Sequence, residues 1–353
     1  NLSNGIKYQS ETDYVGFGSF PLAFERRYNS LAQLDDSNNG VYAFSPSGGY
    51  GGSGATLSAV DTLNDPDRRA LAIGAIGANW RHTYHRAIQV TQRHALLLAA
   101  IYREDGAVYQ FVMENESSGS PATINAQYTG PDFQIVSETD PQSGELLWVI
   151  RTPENTVETY SVAGRLLSID DNNGITVSLT YDVAGRLDLV TDQFGRTLDF
   201  DYAVDPVPGE TYTDTEGLLN QITRMYDPSG DLYEYHYDNI NGGQLIRVDY
   251  PDATSRTYHY DDPNHPFALT GISIHSTSLA PTPQDRYATW AYDSVGRAIL
   301  SYHGTGSDIT DRVDIDYYID NKGTSFTGRW QSKYATVTES AGTPEQWVKQ
   351  YRS

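Results

Sequence analysis

The chain has 353 residues, no cysteine, and 46 acidic against 24 basic side chains, for a formal charge of −22. Such a charge repels nucleic acid and anionic membrane, and the missing cysteines exclude disulfides, thiolate catalysis and Cys-ligated zinc. Its 27 Tyr and 31 Gly suit pleated strands joined by tight turns, and its longest apolar run, Ala95 to Ile101, is far too short for a membrane span.

The chain opens at Asn1 with no leader pattern, which is the expectation for a mature or excised segment of a longer protein. Asp35 to Gly40 resembles the start of a calcium loop, but its twelfth position is Pro46 where a bidentate Glu is required. The EF-hand reading therefore fails, and a looser extracellular calcium site is the one cofactor reading left open. Ser45 to Gly54 is a glycine-rich loop without the Lys-Ser/Thr of a phosphate loop. Ala87–Thr91 and Ala95–Tyr102 are expected strands, leading to the Asp105-Gly106 turn with Val108–Met113 returning. A helix over residues 92–102 is the alternative that the alanines and leucines permit. Glu114 to Thr123 is a polar break.

From about residue 145 the sequence repeats itself, which divides the chain into an N-terminal β region (1–145) and a repeat array (146–353). The unit is an alternating strand ending in Tyr, a tight turn, then Gly-Arg and a second strand. Tyr160, Gly164 and Arg165 form one copy, Tyr181, Asp182, Gly185 and Arg186 the next, and Tyr292, Asp293, Gly296 and Arg297 another. Tyr226, Asp227 and Gly230 make a variant in which Asp231 replaces Arg, and Asp192, Gly195 and Arg196 form a shorter turn. Tyr160, Tyr181 and Tyr202 are 21 residues apart, the length of one hairpin. Leu198, Phe200 and Tyr202 alternate with Thr197, Asp199 and Asp201, so one face of the sheet is apolar and the other wet.

Few residues invite chemistry. His82, His85 and His94 are close in sequence, but positions three apart on a strand point to opposite faces. His236, His259 and His303 fall on strand ends beside tyrosines. Asp199 with Asp201, and Asp314 with Asp316, share strand faces as any acidic sheet would. There is no Gly-x-Ser-x-Gly elbow. No catalytic, cofactor-binding or metal-ligating residue is assigned, and the expectation is a protein that is not an enzyme.

Residues 181–196 carry Tyr-Asp-x-x-Gly-Arg-Leu, then Val190-Thr191-Asp192 and Gly195-Arg196. This string resembles the unit of the RHS/YD-repeat family. Residues 5–30, with Phe20-Pro21-Leu22 and Arg26-Arg27-Tyr28-Asn29-Ser30, are similar to the segment that introduces such repeats in bacteria, and Trp80-Arg81-His82-Thr83-Tyr84 to the element that follows it. The resemblance implies an all-β fold, a ribbon of tandem hairpins spiralling into a barrel or cocoon, here a partial shell. It also implies a secreted or cell-surface bacterial protein, in which the shell encloses an effector or serves adhesion. The family's boundary motif, Pro-x-x-x-x-Asp-Pro-x-Gly-Leu, is absent, so no cleavage activity carries over. The expected partners are the remainder of the parent protein or further copies of the chain, since Ala335 to Gly342 reads as another repeat with an open strand edge. Glycans and cell-surface proteins are the other candidates, with polysaccharide hydrolysis the weakest reading.

Overall fold

The computed structural model describes residues 5–30, 75–77, 79–93, 96–115, 126–130, 132–183, 185–203, 221–238, 243–318, 334–339 and 346–352. The Asp35–Gly40 loop, the Ser45–Gly54 run and His94 lie outside these residues. Among the described residues, two sheets and two three-residue 3-10 turns (Pro283–Asp285 and Gly306–Asp308) account for the regular structure. The first is small and antiparallel, β1 (Tyr8–Val15), β2 (Ala23–Asn29) and β3 (Trp80–His82), in that order.

The second is a ribbon in which each strand pairs antiparallel with the next in the chain. It runs β4 (Ala87–Arg93), β5 (Leu96–Tyr102), β6 (Val108–Asn115), β7 (Ala126–Thr129), β8 (Gln134–Thr139), β9 (Leu146–Arg151), β10 (Val157–Ser161), β11 (Leu166–Asp170), β12 (Thr176–Tyr181), β13 (Leu187–Asp192) and β14 (Thr197–Tyr202). It continues through β15 (Ile222–Tyr226), β16 (Leu232–Tyr237), β17 (Leu245–Asp249), β18 (Thr254–His259), β19 (Gly271–Ser276), β20 (Arg286–Tyr292), β21 (Ala298–His303), β22 (Thr310–Tyr318), β23 (Tyr334–Glu339) and β24 (Trp347–Arg352). The hairpin expected around Asp105-Gly106 is present as β5 and β6, and the described residues of 92–102 belong to β4 and β5, not to a helix. Residue 146 falls within the ribbon, which continues unbroken from β8 through β9 to β10.

The ribbon is open. No ladder joins β24 to β4 among the described residues. Instead, a single bridge from Ala87 to Arg165 and a bond from Ile88 N–H to the Gly164 carbonyl press β4 against the β10–β11 turn.

Strict alternation is broken at the repeat tyrosines. Opposite Tyr160, Tyr181, Tyr202, Tyr237 and Tyr292 the register slips, so the partner strand carries one extra residue: Leu167, Asp188, Thr223, Ile246 or Ile299. Such a bulge resets the inward phase. It lets Leu187 and Val190, three apart on β13, both reach the core.

The apolar face of the ribbon closes on the small sheet. Phe24 of β2 packs against Phe200 (5.3 Å between centroids) and Tyr235 (6.2 Å), and Trp80 of β3 against Tyr258 (5.1 Å). The small sheet is thus a plug, and one apolar cluster joins it to ribbon strands from β4 to β20.

Candidate functional site

Three constellations of polar side chains lie on this frame. The first is repeated along the ribbon. In the copy at Tyr181, Asp182 Oδ1 accepts the Arg186 N–H (2.8 Å) and Oδ2 accepts Arg186 Nε–H (2.7 Å), which closes the turn. Gly185 supplies the left-handed residue the turn requires, with φ of 78°. The Arg186 guanidinium lies over the ring of Tyr202 (4.2 Å), and the Tyr202 hydroxyl donates to the Leu187 carbonyl (2.9 Å). Burial pushes the Tyr202 hydroxyl well above the usual phenol range, so it remains a donor. The ring contact and the hydroxyl bond recur between Arg165 and Tyr181, where Ser161 takes the carboxylate's place, and the whole latch recurs between Arg297 and Tyr317. Where the sequence has Gln in place of Arg, the tyrosine bond persists and the amide reaches the next turn: Gln221 Nε2 donates to the Gly243 carbonyl and Gln244 Nε2 to that of Pro266.

The second constellation pins the plug. Arg26, with no exposed surface, donates through Nε and Nη2 to both oxygens of Asp13 (2.6 and 2.8 Å) and through Nη2 to the hydroxyls of Tyr250 and Tyr258. Asp13 accepts in turn from the Tyr235 and Tyr250 hydroxyls. Burial and the Asp13 charge raise both tyrosines well above their ordinary values. Nearby, the Tyr28 hydroxyl bridges the Phe267 carbonyl and Leu269 N–H, and Trp80 Nε1–H donates to the Tyr260 hydroxyl.

The third is a cleft of about 310 Å³ at the rim carrying the β5–β6 and β9–β10 turns, beside the β1–β2 loop. Its floor is an ion-pair cluster. Arg86 and Arg103 share Glu104 and the fully buried Glu158, at 2.5–3.5 Å. Burial opposes ionisation of Glu104, but Arg86 and Arg103 outweigh it and hold its pKa below the usual value.

Residues 160–197 match the RHS Repeat family. Those residues are an RHS repeat. Among curated proteins none matches it. Among solved structures it is similar to a porin-like protein from Bacteroides uniformis (13% identity, TM-score 0.28, 63% of this chain and 97% of that one). It is also similar to the N-terminal domain of effector protein SpvB from Salmonella typhimurium (9%, 0.25, 97% and 98%). A third is the Photorhabdus luminescens Tc holotoxin pore (12%, 0.23), where the match covers 69% of this chain. This chain spans only 14% of that toxin chain.

The motif residues of the repeat separate into two rims. Tyr160, Tyr181 and Tyr292, with Gly164, Gly185 and Gly296, border the turns after β10, β12 and β20. Asp192, Gly195 and Arg196 form the β13–β14 turn at the opposite rim, where Arg196 Nη2 donates to the Phe17 carbonyl of the plug. Tyr226, Asp227 and Gly230 lie on that second rim too, between β15 and β16, so this Tyr-Asp string is out of phase with the others. Tyr226 follows from its register opposite Asp199, not from the latch.

The histidines behave differently from the expectation for a continuous strand. β3 ends at His82 and a turn follows, in which His85 N–H donates to the His82 carbonyl. The rings of His82 and His85 are consequently 5.6 Å apart, not on opposite faces. Both are buried. Burial lowers His82 to about 3, and burial with Arg81 lowers His85 well below its usual value. On the outer face, Glu234, His236 and Asp249 place three donor atoms within 4.8 Å of one another. Asp249 is already bound by Arg247 Nε–H and Ser255, and Glu234 faces Arg224 at 3.6 Å, so these carboxylates are balanced by guanidinium groups. His259 bonds Ser273 and His303 stacks on Tyr287. Asp199, half-buried, is raised by burial and by Asp201, while Asp314 pairs with Arg312.

Sequence reasoning missed the pin and the floor cluster. Asp13, Arg26, Arg103, Glu104 and Glu158 have no spacing in common. Arg26 and Tyr258 are separated by 232 positions.

Proposed function

We propose that this chain is a non-catalytic, structural segment of a secreted or cell-surface RHS protein, forming part of a β-shell that encloses or displays another portion of its parent. The observation that supports this reading is the fate of the repeat's polar groups. Asp182, Arg186 and Tyr202, and their counterparts around Arg297, are consumed in holding one hairpin to the next. A ribbon that invests its repeated acid, base and phenol in its own latches is built for extent and rigidity. An active site would instead leave such groups converging on open space. Stacked hairpins also give what one hairpin lacks, a continuous apolar face with every inner strand paired.

A small reporter domain joined after Ser353 and treated with protease tests the proposal. A ribbon that survives intact, with the reporter either shielded or cleanly released, supports a shell. Digestion of the ribbon at the same rate as an unfolded chain overturns it. Release of fragments from neutral or acidic polysaccharides by the purified chain would remove the word non-catalytic.

A further inference from the structure

The inner face of the ribbon is not covered throughout. Tyr235 and Tyr258 lie under the plug and Tyr160 beside the floor cluster, all closed from solvent with their hydroxyls bonded. Tyr109 of β6 shares the inward phase of Phe111 and Met113, yet it is 43% exposed. It forms a wall of the rim cleft with Phe133, whose ring lies 5.0 Å away, and with Phe20 of the plug loop opposite.

The charge around this aromatic wall is one-sided. In and behind the floor, Arg86, Arg103 and Arg27 are matched by Glu104, Glu158 and Glu25. Arg81, behind the β5–β6 turn, gives its guanidinium to the Arg103 carbonyl and does not line the cleft. At the mouth, Asp105 and Glu154 are exposed. Asp105 accepts one backbone bond, from Ala107, through Oδ1. Two carboxylates therefore face the opening with no cation paired to them among the described residues, in a protein of charge −22.

We propose that this cleft binds an arginine side chain presented by a protein segment. The chain itself supplies the precedent. Along the ribbon, a guanidinium sits between a carboxylate and a tyrosine ring, as Arg186 does between Asp182 and Tyr202 and Arg297 between Asp293 and Tyr317. The cleft offers the carboxylates and the rings with the guanidinium missing. A planar guanidinium stacks on aromatic faces while its edge donates to carboxylate, which an ammonium does less well. A volume of about 310 Å³ sits at the lower end of the size range of ligand pockets, enough for one or two side chains. The ligand follows from the cleft's own chemistry and is independent of what the ribbon encloses.

The test is a calorimetric titration of the whole chain with a short acetylated, amidated Gly-Arg-Gly-Arg-Gly peptide, and with the same peptide carrying citrulline for arginine. Citrulline keeps the shape and removes the charge. Binding of the arginine peptide should be about tenfold tighter and should weaken with salt. Tyr109→Ala, and separately the Asp105→Asn/Glu154→Gln pair, should each reduce it several-fold, whereas Tyr287→Ala on the outer face should leave it unchanged. All four positions are exposed, so the variants fold, and unchanged melting temperatures would verify this. Equal affinity for the citrulline peptide, indifference to Tyr109→Ala, or tighter binding of a neutral oligosaccharide such as cellohexaose would each overturn the assignment.

Discussion

The plug and the ribbon use the same residue types in opposite ways. In the ribbon, Arg186 sits four residues from its carboxylate, and Tyr202 reaches a carbonyl only 15 positions back, so each latch is local in sequence and repeated in space. In the plug, Arg26 reaches tyrosines 224 and 232 residues away, and the other described plug–ribbon ion pairs, such as Glu11 with Arg256, are less completely buried. A repeat array approximates a sum of neighbour terms, each of which tolerates loss. A fully buried ion pair has no such tolerance, because losing one partner strands the other. Damage to the plug should therefore cost far more than damage to a latch.

The largest effect is expected at Arg26. Arg26→Leu leaves Asp13 buried with two tyrosine donors but no cation, a change of about 3–5 kcal/mol, read as a lowered urea midpoint. Arg312→Leu, which breaks an ion pair exposed on the outer face, should cost well under about 1 kcal/mol. Equal losses from the two would abolish the distinction between plug and ribbon.

A glycine pair tests the same contrast at one seam. Gly164 and Gly195 both have positive φ, 93° and 78°. A methyl group at Gly195 meets open space, whereas at Gly164 it overlaps the Ile88 carbonyl, where β4 is pressed against the β10–β11 turn. Gly195→Ala should cost about 1 kcal/mol from conformation alone, and Gly164→Ala a further 1–3 kcal/mol or so from the overlap. Matching melting temperatures for the two variants would mean that β4 is not held there.

Acid should loosen the plug before it affects the latches. The folded chain lowers His82 from 6.5 to about 3 by burial, so between those values the unfolded chain binds more protons. Stability contributed by neutral His82 is complete above pH 6.5 and falls as pH drops towards 3, by about 2 kcal/mol at pH 5. His85, lowered by burial, Arg81 and His82, acts in the same direction. The depressed carboxylates, among them Glu104 and Asp192, act lower, below the ordinary carboxylate range. His82→Phe keeps the ring stacked on Phe24 and should flatten the stability profile between pH 6.5 and 5; an unchanged slope would assign the acid sensitivity elsewhere.

What was legible in the sequence follows the same division. The tyrosine interval, the Gly-Arg turns and the alternation announced the hairpins from β10 onward, because every determinant of a hairpin lies within about 20 residues. The Asp105-Gly106 hairpin was legible for the same reason. The bulges were not, since Asp188 reads as one more wet residue and its phase shift shows only against Tyr181 across the strand. The plug's pairings were invisible because loops of more than 200 residues leave no periodic trace. His82 and His85 were misplaced for a local reason, the turn at Thr83-Tyr84, which the strand pattern does not reveal.

A small effect is also expected in the repeat itself, and it is the most informative about modularity. Arg186→Ala removes the Nε–H bond to Asp182 and the contact with the Tyr202 ring, while Tyr202 keeps its bond to Leu187; a loss of about 1 kcal/mol is expected. Arg297→Ala should cost a similar amount at its own hairpin. The two arginines share no partner, since one lies on Tyr202 and the other on Tyr317. Their double variant should therefore equal the sum of the singles to within about 0.5 kcal/mol. Pairing either one with Arg26→Leu distinguishes two designs. Additivity there too would mean that the plug is docked on a ribbon that stands by itself. A shortfall or excess beyond that margin would mean that the ribbon takes its curvature from the plug it surrounds.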